Sequence, residues 1–202
     1  MKGRSSSKMK VFEPFKINQM ELKNRMVVSA MVTNYCSEDG MATEKFIAYH
    51  EHKAKGGWGL IITEDYAVTP TAGGFKKLPG LWEDGQIESH KELTRRIHEA
   101  GGKIAAQIYH AGRETSSAIT GEQPIGPSAL KDPTMPETPR EMTVEEIHEL
   151  VEQFGDCARR AEERSETVQD LQWRSLRILR KNAEKIIQFY TECQRLNMSQ
   201  VD

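Results

Sequence analysis

Gln107-Ile108-Tyr109-His110-Ala111-Gly112-Arg113 gathers an amide, a phenol, an imidazole and a guanidinium around one glycine. An apolar run, Lys103-Ile104-Ala105-Ala106, leads into it, so Gln107 is expected at the carboxyl end of a buried strand. Ligands collect at that end in α/β sheets. An amide there offers a carbonyl acceptor and an NH2 donor, which suits the edge of a planar heterocycle. A satisfied core amide is the competing reading.

Other reactive side chains are less telling. His110, just before Ala111-Gly112, reads as a structural loop histidine more readily than as a catalytic acid. Tyr35 and Cys36 fall in a loop after the first strand; Tyr35 is a pocket-lining or surface aromatic. Cys36 has no His or helix amino terminus beside it to activate a thiolate. His50, His52, His90, His98 and His148 lie on helices and lack metal-ligand spacing, so no metal site is expected. No strand end offers the Lys or metal-ligand cluster that an aldolase or a metal-dependent hydrolase would need.

The elements that position these residues alternate. Val11–Ile17 and Glu21–Arg25 flank Asn18-Gln19 as a small hairpin. Met26–Met31 is a first apolar strand, with Met31 read as core filler. Thr43 caps a helix carrying Phe46, Ile47, His50 and Ala54 inward, and Gly56-Gly57 ends it. Gly59–Glu64 is a second strand. Asp84 is positioned to cap a second helix with Ile87, Leu93, Ile97 and Ala100 inward, ended by Gly101-Gly102. Thr143-Val144-Glu145-Glu146 is a capping box opening a third helix, whose inner face is Ile147, Leu150, Val151, Phe154, Cys157, Ala158 and Ala161. Unbroken apolar strands joined by helices imply an α/β fold with parallel pairing.

The pattern changes near residue 163. All 15 glycines and all 8 prolines precede residue 156, and no fourth strand follows Glu163. Instead Val168, Leu171, Leu176, Leu179, Ala183, Ile186, Tyr190 and Cys193 recur at helical spacing, with Arg174, Arg177, Arg180 and Lys181 on basic faces. The expected organisation is a disordered leader over 1–10, an α/β unit over 11–163 and an amphipathic helical tail over 164–202.

Composition narrows the class. A 202-residue chain with a net charge of −2 is not built for nucleic acid or an anionic membrane surface. No apolar stretch approaches the roughly 20 residues of a membrane span. Three cysteines, Cys36, Cys157 and Cys193, without C-x-x-C spacing argue against a disulfide framework and fit a reducing compartment. A soluble cytoplasmic protein is expected.

Six segments in order resemble the amino-terminal part of the old yellow enzyme family of FMN-dependent oxidoreductases. The similarity is nearest to its NADH:flavin oxidoreductase and 2,4-dienoyl-CoA reductase branch. The segments are Phe12–Ile17, Leu22–Arg25, Val27–Met31, Gly57–Glu64, Gln107–Arg113 and Gly126–Ala129. The resemblance implies a partial TIM (β/α)8 barrel, with an amino-terminal hairpin and three βα units, plus the helical tail. FMN would lie across the carboxyl-terminal mouth. Ser29, Ala30, Met31 and Val32 would pass beneath its ring, Asp65 would touch it, and Gln107 would bond its pyrimidine edge. NADH or NADPH would be the reductant and an activated, electrophilic alkene the substrate.

Departures qualify this. Ala30 stands where many members have Pro, Val32 where Cys or Thr is common, and Asp65 where Ala or Gly is common. A carboxylate at Asp65 should disfavour an anionic reduced flavin. The family's substrate-anchoring His pair, proton-donating Tyr and phosphate-binding segments have no counterpart, so no catalytic residue is assigned. The alternative is an inactive barrel fragment that self-associates or needs a complementing barrel half, because closure takes about eight strands.

Overall fold

The computed structural model describes residues 9–18 and 20–163. The leader is therefore seen only from Met9, and the tail over 164–202 lies outside the described residues.

A hairpin comes first: β1 (Phe15–Ile17) pairs antiparallel with β2 (Met20–Leu22) around Asn18, whose φ is +52°. Next come β3 (Val27–Val28), α1 (Glu44–Lys55), β4 (Leu60–Ala67), α2 (Ile87–Glu99) and β5 (Lys103–Tyr109). A short turn of helix, α3 (Ser117–Thr120), and a parallel pair of two-residue strands, β6 (Ile125–Gly126) and β7 (Arg140–Glu141), lead to α4 (Val144–Glu163). The main sheet is parallel, in the order β3-β4-β5. It is part of a (β/α)8 barrel and is not closed.

Each sheet face has its own packing. On the helix side Val28, Ile61 and Ile104 stand in register across the three strands. They meet Phe46, Ile47 and Ala54 of α1 and Leu93 and Ile97 of α2. Further along β5, Ala106 and Ile108 pack with Leu150, Phe154, Cys157 and Ala161 of α4. Burying a large aliphatic or aromatic side chain contributes roughly 1.5–3 kcal/mol, so this seam dominates the fold. On the other face Met20 and Leu22 of the hairpin cover Leu60, Ile62 and Ala105 at the amino-terminal end. The same face opens to solvent elsewhere, at Val27 and Gln107.

The helix faces follow the sequence. Thr43 caps α1 by accepting from Phe46 N, and the buried positions are Phe46, Ile47, His50 and Ala54. The capping box of α4 is reciprocal: Thr143 Oγ1 accepts from Glu146 N at 3.2 Å, and Glu146 Oε2 accepts from Thr143 N at 2.8 Å. Among the described residues no helix is long and apolar enough to cross a membrane.

Four expectations need correction. The hairpin strands expected over Val11–Ile17 and Glu21–Arg25 are Phe15–Ile17 and Met20–Leu22, with a 3-10 turn over Lys10–Phe12 before them. Asp84 does not cap α2; Glu83 and Gln86 form a capping box one residue earlier, over a 3-10 turn. Asp84 instead accepts from Arg160 Nε at 2.7 Å and Arg159 Nη2 at 3.0 Å, joining the start of α2 to α4. The first strand shrinks from Met26–Met31 to Val27–Val28, because β3 has β4 as its single partner in the sheet and pairing stops after Val28↔Ile61. Met31 is not core filler, being 52% exposed.

Candidate functional site

All three parallel strands end at one rim. β4 and β5 keep register from Leu60↔Lys103 to Ile62↔Ala105, then a bulge absorbs Thr63 and Glu64 before Asp65↔Gln107. A bulge re-aims the side chains that follow it. Here it sets Asp65 directly beside Gln107, whose Nε2 donates to Asp65 Oδ1. Gln107 is exposed and Asp65 half-buried. Burial pushes the Asp65 carboxyl above its ordinary value, opposed by the Gln107 bond. Two positions on, burial raises the Tyr109 phenol, and the Asp65 and Glu114 charges add to this.

The bulge has a second product that the sequence reading missed. Glu64 is fully buried and accepts from Thr33 N at 2.8 Å and Thr33 Oγ1 at 2.6 Å. Burial raises its carboxyl even against those bonds. Thr33 directly follows Ser29–Val32, so this anchor ties that stretch to the strand carrying Asp65. Within it Ser29 and Met31 are exposed, and Ala30 and Val32 half-buried. The structure thus brings Ser29–Val32, Asp65 and Gln107 to one rim, with a hydrogen bond joining the last two. The available signal for Glu64 was two adjacent acids, Glu64-Asp65, ending an apolar strand.

His110 has a local role. Its Nδ1 accepts from Gly112 N at 2.9 Å, so the imidazole is neutral and holds the turn where Gly112 has a φ of +58°. Burial lowers its pKa. His90 is also held locally: Nε2 donates to the Gly40 carbonyl at 3.1 Å and Nδ1 pairs with the Tyr66 hydroxyl at 3.0 Å. Among the described residues no cluster of His, Cys, Asp and Glu could hold a metal ion.

Cys36 is buried rather than displayed in an open loop. Desolvation, then the Glu64 charge, drives its thiol far above the ordinary range. Cys157 is buried as well. Iodoacetamide is expected to leave both unmodified in native protein and to label both in denaturant, as read by peptide mass spectrometry. Rapid native labelling of Cys36 would contradict its packing.

Comparison with known proteins points one way. The model of the NADH:flavin oxidoreductase / NADH oxidase family matches residues 10–166. An NADH oxidase of Thermoanaerobacter brockii is 37% identical over 153 residues, 75% of this chain and 24% of that protein. An NADPH dehydrogenase of Bacillus subtilis is 38% identical over 155 residues, 76% of this chain and 45% of that protein. The solved old yellow enzyme homologue from Zymomonas mobilis superposes with a TM-score of 0.69 at 29% identity, over 76% of this chain and 45% of that one. This chain therefore spans less than half the length of each.

Proposed function

Because the chain belongs to the NADH:flavin oxidoreductase / NADH oxidase family, whose cofactor is FMN, we propose that its strand-end rim is the ring-binding part of an FMN site. The proposed unit is residues 11–163, between a leader over 1–10 and a tail over 164–202. The proposed activity is cytoplasmic and of the ene-reductase type, with NADH or NADPH as reductant and an electrophilic alkene as substrate. The chemistry supplied by bound FMN would be hydride transfer.

The observation carrying this reading is the Asp65–Gln107 pair on adjacent strands. The residues present fit the ring edge. Asp65 engages the Gln107 NH2, which orients the amide and leaves its carbonyl oxygen to accept from an imide N–H. The second Asp65 oxygen is a further acceptor. Ser29–Val32 would supply backbone groups along the ring, held in place by Thr33 on Glu64. These residues bind and orient; none donates a proton to substrate.

A second reading is favoured by the open sheet. Three strands with an exposed inner face support a fragment that self-associates or joins a complementing barrel half before it acts. Gel filtration separates the two: the fragment reading expects oligomers, and a monomer with cooperative unfolding counts against it.

FMN titration of the purified chain, followed by flavin fluorescence, tests the site itself. Saturable quenching is expected, weakened roughly three- to tenfold in Gln107→Ala for the loss of one hydrogen bond. Quenching that never saturates, or that ignores the substitution, removes the basis of the proposal.

A further inference from the structure

The inner face of the sheet is covered at one end only. Met20 and Leu22 of the hairpin pack on Leu60, with Ile62 and Ala105 at the margin of that contact. Ile62 and Ala105 stay half-buried, Val27 is 41% exposed, and Met31, four residues on, is 52% exposed. β3 and β5 are the two outer strands, each with β4 as its one partner among the described residues. Parallel sheets have both faces covered, so this face lacks its second layer.

The same chain carries an apolar pattern of matching size. Residues 164–202 lie outside the described residues, and their sequence holds Leu176, Leu179, Ala183, Ile186, Tyr190 and Cys193, spaced alternately three and four apart. At about 100° per residue these positions share one side, while Arg177, Arg180, Lys181, Glu184 and Lys185 share the other. As a helix, residues 176–186 would measure about 16 Å, at roughly 1.5 Å each. The part of β4 beyond the hairpin, residues 62–67, is about 20 Å of strand. Three strands are two spacings wide, about 10 Å, and a helix with its side chains is roughly 10–12 Å across. One helix suffices to cover this face.

The connection is long enough. Arg160 Nη1 donates to Leu81 O at 3.3 Å, and Leu81 N donates to Ala67 O at 3.4 Å, so α4 ends beside the loop that follows β4. Residues 164–175 separate that end from Leu176 and reach up to about 40 Å when extended. That is several times the roughly 10 Å between packed layers. A tethered segment also meets the face at an effective concentration in the millimolar range, which a second copy in dilute solution does not match.

We propose that residues 176–190 form a helix that docks on the inner face of β3-β4-β5, with Leu176, Leu179, Ala183 and Ile186 against Val27, Ile62 and Ala105. The missing layer then comes from within the chain, the charged side of the helix faces water, and the protein is a monomer. The docking needs no flavin and stands or falls separately from the FMN reading.

Ala183→Cys in the full chain puts a thiol in the middle of the docked side, and its reaction with iodoacetamide is read by peptide mass spectrometry. Labelling is expected to be at least roughly tenfold slower than in the same variant carrying Leu176→Asp/Leu179→Asp, which removes two of the docked side chains. Val27→Asp/Met31→Asp should release the thiol equally. Both of those positions are exposed, so circular dichroism should show an unaltered sheet. Light scattering should find a monomer, with protection unchanged on dilution. A thiol that labels as fast in native protein as in denaturant overturns the proposal. So does protection that survives Val27→Asp/Met31→Asp, which would put the tail elsewhere. Protection that fades on dilution alongside a dimer mass overturns it too, since a second copy would then be the cover.

Discussion

Glu64→Ala is expected to lower the free energy of unfolding by about 2–4 kcal/mol, read by urea denaturation. The carboxylate is fully buried and is the shared acceptor for Thr33 N and Thr33 Oγ1. Alanine strands both donors and leaves a void beside the bulge. Glu64→Gln separates shape from charge. Its amide oxygen can accept from Thr33 N, and its NH2 can donate to a reoriented Thr33 hydroxyl, so about 1 kcal/mol or less should be lost near neutrality. The pH dependence has a definite sign. Burial raises the Glu64 carboxyl in the fold, so the folded protein keeps that proton to higher pH than the unfolded chain. The associated stability is complete below the unfolded value, about 4.3, and is lost as pH rises through the folded value. Glu64→Gln should lack that decline. Arginine-paired Glu51 and Glu146, both held at about 2, act in the opposite sense. Their contribution is present above the ordinary carboxylate value and disappears as pH falls toward theirs. An alanine variant as stable as the parent would mean that Thr33 is not anchored through Glu64.

Phe46→Ala should be more damaging still, at about 3–5 kcal/mol. Phe46 is completely buried between α1 and the sheet, with Ile61, Leu93 and Ile97 in the same cluster. Its ring meets His50 edge-on at 4.7 Å between centroids, and His90 at 6.3 Å. The cluster draws on β3, β4, β5, α1 and α2, so closing the space would require those elements to shift. A folded unit of this size moves by about 2–4 °C per kcal/mol, so calorimetry should find a fall of roughly 6–20 °C. Arg96→Ala is the contrasting case. It breaks ion pairs with Glu44 and Glu51 at 2.7 and 2.6 Å, but Glu44 is solvent-exposed and the Glu51 pair only partly buried, so the loss should be much smaller than that of Phe46→Ala. A Phe46→Ala variant that melts like the parent would show that α1 does not dock as described.

The parts of this fold legible in the sequence are those set by local periodicity. Phe46, Ile47, His50 and Ala54 fall at helical spacing, and no tertiary contact was needed to see which side they would bury. Thr143 and Glu146 likewise announce their cap by chemistry and separation alone. Gln107 could be placed at a strand end because Gly101-Gly102 and Gly112 bracket the run. What escaped was decided between strands. The slip at Thr63-Glu64 follows from pairing with β5, and nothing in Gly59–Glu64 marks it, so Glu64 was read as the last residue of a strand that continues to Ala67. Met31 was misjudged for a related reason: apolar character fixes a strand's tendency, but an edge strand ends where its single partner ceases to pair. Asp84 has cap-forming chemistry, and only the approach of Arg159 and Arg160 from α4 shows it otherwise engaged.

The succession β3, β4, β5 is the same in space as along the polypeptide. A ribosome releasing the chain amino terminus first would present each strand only after its neighbour had emerged. Every stage of growth could then bury its seam before the next arrives, with no long search for a distant mate. At any moment the sole fresh border would belong to the newest strand, a brief window in which a nascent-chain chaperone has one place to hold.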